Sequence, residues 1–142
     1  MKRLERSITI NVAVEKVFNY ITEAMNQIDW MPSMVAIKDV SGSGLGKSHR
    51  WTYKMAGILL EGESTFTEHT PNKRVVLESK GGVKSTFTFD FEPHNDGTML
   101  KLVIEYNIPI PVLGKIGETI LLKRNEREID LAMNNIKEIL EG

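Results

Sequence analysis

The chain has 142 residues, 41% hydrophobic and 26% charged, with 18 Lys and Arg against 19 Asp and Glu and a formal net charge of -1. That length suits one domain with a sizeable core, and the balanced charge lacks the basic excess needed to neutralise nucleic-acid phosphates. With no cysteine, disulfides, thiolate catalysis and zinc–thiolate sites are excluded, and no apolar run approaches the length of a membrane span.

Leu4, Arg6, Ile8, Ile10 and Val12 alternate with Glu5, Ser7, Thr9 and Asn11, the period of a half-buried strand. This alternation, rather than an apolar block, follows Met1-Lys2-Arg3, so no signal peptide is expected and the location is read as cytoplasmic. Val14, Val17, Phe18, Ile21, Met25 and Ile28 then recur at helical spacing and predict two short helices, ending at Trp30-Met31-Pro32.

Strands are expected over residues 34–40, 47–55, 59–69, 74–79, 83–92 and 98–108. Gly57 marks a turn and Gly62 a bulge or a close backbone approach; Pro71-Asn72, Gly81-Gly82 and Asn95-Asp96-Gly97 supply turn chemistry. The alternation is clearest where Phe87, Phe89 and Phe91 interleave with Thr88 and Asp90. Pro109-Ile110-Pro111 stops the last strand, and residues 112–140 read as one helix of about 43 Å. A small sheet with one apolar face must curl to cover so long a helix. The expected architecture is α+β, a curved antiparallel sheet of about six to seven strands wrapped around a C-terminal helix, in a single domain over residues 1–142.

The inward positions of these strands include His49, Trp51, Tyr53, Ser64, Phe66, Leu77, Phe87, Phe89, Leu102, Ile104 and Tyr106. Singly each reads as core; together they combine apolar walls with a few polar tips, the character of a small-molecule pocket. On the last helix Leu113, Ile116 and Ile120 share one face, whereas Ile129, Ala132, Met133, Ile136 and Leu140 centre on another about 100° away. Residues 123–128 between them contain no apolar side chain. The second half is therefore expected to dock and the first half to act as a lid over open space. Arg124 continues the lid face: it could meet a ligand's polar end, or pair with Glu128 on a solvated surface.

Other motifs fail on context. Ser41-Gly42-Ser43-Gly44-Leu45-Gly46-Lys47-Ser48 lacks the first glycine of a phosphate-binding loop and leads into a strand rather than a helix. His49, His69 and His94 lie on separate elements without ligand-like spacing, so no metal is expected. Glu68 shares parity with Ser64 and Phe66, and is either a buried general base or a solvated strand end.

The landmarks in order are Ile10-Asn11-Val12-Ala13-Val14-Glu15-Lys16-Val17-Phe18, Trp30-Met31-Pro32, Gly44-Leu45-Gly46, Glu68-His69-Thr70-Pro71, Gly97-Thr98, the approach to the last helix over 109–114, and Asn135-Ile136-Lys137. This series resembles the START-related, birch-pollen-allergen-like superfamily (SRPBCC, polyketide cyclase/dehydrase-like) over essentially the whole chain. Members commonly carry Ala-Pro after the first strand, where this chain has Ala13-Val14. The resemblance implies a helix-grip fold and binding or transport of a small hydrophobic or amphipathic ligand (lipid, polyketide or isoprenoid-like). It carries over no catalytic residue, cofactor or metal. The alternatives it leaves open are a polyketide cyclase/aromatase-like enzyme, with His49, Tyr53 or Arg124 moving a proton, and a coenzyme-Q-type quinone-binding chaperone with an apolar patch over residues 108–113. A monomer or weak dimer without integral membrane association is expected.

Overall fold

The computed structural model describes residues 1–109, 111 and 114–142. Its strands are β1 (Lys2–Ile10), β2 (Met34–Ser41), β3 (Ser48–Met55), β4 (Ile58–Thr70), β5 (Arg74–Gly81), β6 (Ser85–His94) and β7 (Gly97–Tyr106). They form one antiparallel sheet in the order β1-β7-β6-β5-β4-β3-β2. Consecutive strands from β2 to β7 are paired neighbours, and β1 closes the far edge against β7. Helix α1 (Val14–Thr22), a 3-10 turn (Ala24–Asn26) and α2 (Gln27–Trp30) lie between β1 and β2, and α3 (Gly114–Glu141) follows β7. This is the helix-grip α+β arrangement. Among the described residues no helix is long and apolar enough to cross a membrane.

The register lines up inward side chains in rows across the sheet. One row runs Phe66–Leu77–Phe87–Ile104–Leu4, and the next includes Val75–Phe89–Leu102–Arg6. These rows hold large side chains and, with Phe91 and Leu100 beyond them, form the packed core together with Val17, Phe18 and Ile21 of α1. Phe18 meets Phe91 edge-on at 5.1 Å, and Trp30 meets Phe89 at 6.1 Å. On the other side of the Phe66 row lies His49–Ser64–Ser79–Ser85–Tyr106, with three consecutive serines on β4, β5 and β6. Packing density therefore falls along the strands. Bulky rows fill one end of the groove, and small side chains leave the other end open.

Gly62 is a close approach rather than a bulge. It pairs in register with Trp51 and Gly81, and a Cβ there would collide with the Trp51 indole and the Lys80 carbonyl oxygen. The bulge in β4 falls between Phe66 and Glu68 instead. One extra residue reverses the parity beyond it. Glu68 consequently points outward, with its carboxylate 3.7 Å from Arg74 Nε, while His69 turns inward to lie edge-on to Phe18 at 5.2 Å. The buried-base reading of Glu68 is thereby corrected.

The C-terminal half of α3 docks as its periodicity predicts, burying Ile129, Ala132, Met133 and Ile136. Polar ties hold it to β1 and its flank. Arg6 Nε donates to Asp130 Oδ1 at 2.6 Å, Lys137 Nζ to the Thr9 carbonyl at 2.6 Å, and the Asn11 N–H to Glu141 Oε2 at 2.8 Å. Asn135 reaches the Trp30 carbonyl at 3.3 Å, linking α3 to the end of α2.

Candidate functional site: a cavity under the middle of helix α3

The serine row opens onto a cavity of about 90 Å³. Its floor comes from Trp51, Tyr53 and Met55 of β3, Ser64 of β4, Leu77 and Ser79 of β5, Ser85 and Phe87 of β6, and Ile104 and Tyr106 of β7. Gln27, Trp30, Met31 and Met34 wall one side, and Asn125 and Ile129 of α3 form the roof. The space exists because three successive inward positions carry a hydroxymethyl group where a leucine or phenylalanine would have filled it. The hydroxyls of Ser64 and Ser79 bond to each other, so this pair is satisfied without a ligand. Gly62 contributes indirectly, because only a residue without Cβ lets the Trp51 indole lie flat over β4.

Two phenols tie the roof to the sheet. Asn125 Nδ2 donates to the Tyr106 hydroxyl at 2.9 Å. The Tyr53 hydroxyl donates to Glu128 Oε1 at 3.3 Å, and the same carboxylate oxygen accepts the Ser33 backbone N–H at 2.7 Å. Burial raises both phenol pKa values, reinforced at Tyr53 by the charge of Glu128, so both remain protonated at neutral pH.

Of the residues predicted from sequence to meet a ligand, Trp51, Tyr53, Ser64, Leu77, Phe87, Ile104 and Tyr106 come together around the cavity. Phe66, Phe89 and Leu102 are buried but belong to the packed rows. His49 occupies the same row as the serines, yet it is buried away from the cavity with neither ring nitrogen hydrogen-bonded. Its pKa is lowered to about 4, by burial first and then by the charge of Lys47, which leaves it neutral. Leu113 lies outside the described residues, as do two further positions of the apolar patch expected over 108–113.

The lid expectation for Ile116 and Ile120 does not hold: they are 79% and 60% exposed. The first half turns Leu121, Leu122 and Asn125 inward; Leu122 packs against the core, and Asn125 leads at i+4 to Ile129 of the docking face. The seam is thus continuous, with a polar residue inserted where Asn125 meets a phenol. Hydrophobic periodicity missed this, because Asn125 and Glu128 face inward while carrying polar side chains. Arg124 makes no pair with Glu128; it stands over a separate cleft outside the roof. Gln27, Trp30, Met34 and Ser79 were also absent from the sequence expectation. Ser79 alone had a signal, an inward small residue opposite Ser64 and Ser85.

Among the described residues no group of three His, Asp or Glu side chains could hold a metal ion. The family described as polyketide cyclase / dehydrase and lipid transport matches residues 1–141. The chain belongs to this family. Among curated proteins none matches it. Solved structures similar to it include TTHA0849 of Thermus thermophilus, at 17% identity and a TM-score of 0.83 over 96% of this chain and 95% of that one. The ZhuI aromatase/cyclase of Streptomyces sp. R1128 superposes with a TM-score of 0.77 at 14% identity, covering 99% and 93% of the two chains. The protein Ara h 8.0201 gives 0.63 at 13% identity, covering 95% and 97%. At these identities the likeness is one of fold.

Proposed function

We propose that this family member binds or carries a small hydrophobic or amphipathic molecule in the cavity under α3. The observation that carries the reading is the serine row. A sheet whose neighbouring inward rows carry Phe, Leu, Ile and Val places three small residues in register, beneath a roof held by polar ties. At about 90 Å³ the cavity is smaller than the roughly 300–1,000 Å³ of pockets for drug-sized ligands. A compact ligand fits that space, and a larger one extends through its open side or displaces the roof at Asn125 and Ile129.

A cyclase-like reaction needs a proton-transfer group facing the bound chain. Two of the three groups considered for it lie elsewhere, His49 in the packed interior and Arg124 outside the roof, and the Tyr53 hydroxyl is committed to Glu128. The geometry therefore favours binding over catalysis. The test is native mass spectrometry of the purified protein, together with NMR titration against a panel of short fatty acids, alcohols and polyphenols. Binding predicts shift changes centred on Trp51, Ser64, Ser85 and Ile104. A panel that moves no resonance, with no co-purifying mass, would refute the reading.

A further inference from the structure

On the outer side of the roof is a second cleft of about 200 Å³, whose walls include Lys54, Arg124, Arg127, Glu128 and Leu131. It shares Tyr53, Met55 and Asn125 with the inner cavity, so these three residues form the threshold between the two spaces. Of the α3 members, Arg124, Arg127, Glu128 and Leu131 lie at i, i+3, i+4 and i+7 and present one face to the cleft, with Asn125 at its inner edge. Glu128, the carboxylate placed to neutralise Arg124 at i+4, is instead occupied by the Ser33 N–H and the Tyr53 hydroxyl. Neither Lys54, Arg124 nor Arg127 makes an ion pair within 4.0 Å among the described residues. Strand parity turns the Lys54 side chain to the face opposite Tyr53 and Met55, so the cations that α3 itself brings to this concave space are Arg124 and Arg127, beside one carboxylate whose hydrogen bonds go to neutral donors.

We infer that this cleft is an anion subsite. Arg124 and Arg127 hold the carboxylate or phosphate end of an amphipathic ligand whose apolar body lies beyond the Tyr53–Asn125 threshold. This rests on the cavity-binding reading and adds the chemical class of the ligand. The guanidinium fork matches the paired oxygens of either anion, and a concave cationic wall concentrates field where the headgroup would sit. The arrangement also orients the ligand, apolar end inward and charge outward.

The experiment compares octanoate, octyl phosphate, 1-octanol and octylamine by calorimetric titration of the full chain and of R124Q/R127Q, with melting temperature as the check on folding. The expected result is about tenfold tighter binding of the two anions than of octanol, weaker binding of octylamine, and an anion advantage reduced to within about twofold in the double variant. Octanoate and octyl phosphate separate a carboxylate from a phosphate headgroup. Octanol binding as tightly as both anions, or an advantage that survives in the folded double variant, would overturn the subsite and leave the cavity reading intact. Failure of all four probes to bind would remove both.

Discussion

His49 stands in β3 with both ring nitrogens buried and unpartnered, an environment that opposes the charged form. Its folded pKa of about 4 lies below the ordinary histidine value of 6.5, so the unfolded chain binds the proton first as the pH falls. The associated stability is fully present above about pH 6.5, is lost as the pH drops toward 4, and changes no further below that. The span corresponds to about 3 kcal/mol. Urea denaturation at several pH values should show the stability difference between wild type and His49→Leu shifting by about that amount between neutral pH and the folded pKa. A difference that stays constant with pH would mean that His49 is not buried neutral. The residue thus acts as a core group. Its place in the serine row, where parity alone assigned it to the ligand, is overridden by what packs around it.

At the scale of the element, the C-terminal half of α3 is an apolar anchor preceded by a polar turn. Ile129, Ala132, Met133 and Ile136 dock against the sheet and α2, whereas Asn125 and Glu128 reach inward to Tyr106 and Tyr53. Removing one member of a buried hydrogen bond costs more than replacing both, because the survivor keeps its desolvation penalty. Asn125→Leu should therefore destabilise the protein by about 1–3 kcal/mol by stranding the Tyr106 hydroxyl. Adding Tyr106→Phe should recover most of that loss, since the pair then becomes an uninterrupted apolar contact. Equilibrium unfolding of the two single variants and the double variant measures the coupling. If the double variant is as unstable as the sum of the two singles, the hydrogen bond does not hold the roof. The same polar turn explains the misreading of the helix: an inward face is recognisable from hydrophobicity only where the partners are also hydrophobic.

For the molecule as a whole, three polar ties to β1 and its flank and one to α2 engage the C-terminal half of α3, while the other half has the part-exposed Lys2–Glu118 pair to β1 and turns Ile116 and Ile120 to solvent. Regions with few buried apolar contacts open at lower free energy than the core. Native-state hydrogen exchange should show amides 118–122 exchanging at least about tenfold faster than those of Ala132–Ile136, and equal protection along the helix would contradict this division. Opening would begin at the half of α3 nearest the cavity roof, which widens the route inward for a ligand larger than the cavity. The packed Phe and Leu rows at the other end of the groove keep the sheet's curvature while that half moves.

The seven-stranded sheet and its helices were legible in the chain, because period-two and period-3.6 patterns and turn residues act locally, and the extent of each element depends little on what it meets. The inward residues Trp51, Tyr53, Ser64, Leu77, Phe87, Ile104 and Tyr106 of the eventual cavity were legible for the same reason, as strand parity assigns the face. Three decisions required the tertiary structure. The bulge after Phe66 reversed the parity at Glu68, a single insertion that no periodicity count detects. Asn125 and Glu128 were turned inward by phenols far away in sequence, Tyr106 on β7 and Tyr53 on β3, so their orientation depends on partners the helix does not contain. Finally, three serines on separate strands became one row of small side chains only when β4, β5 and β6 paired in register. A cavity is an absence of side chains shared among strands, and it comes into being only when those strands are brought side by side.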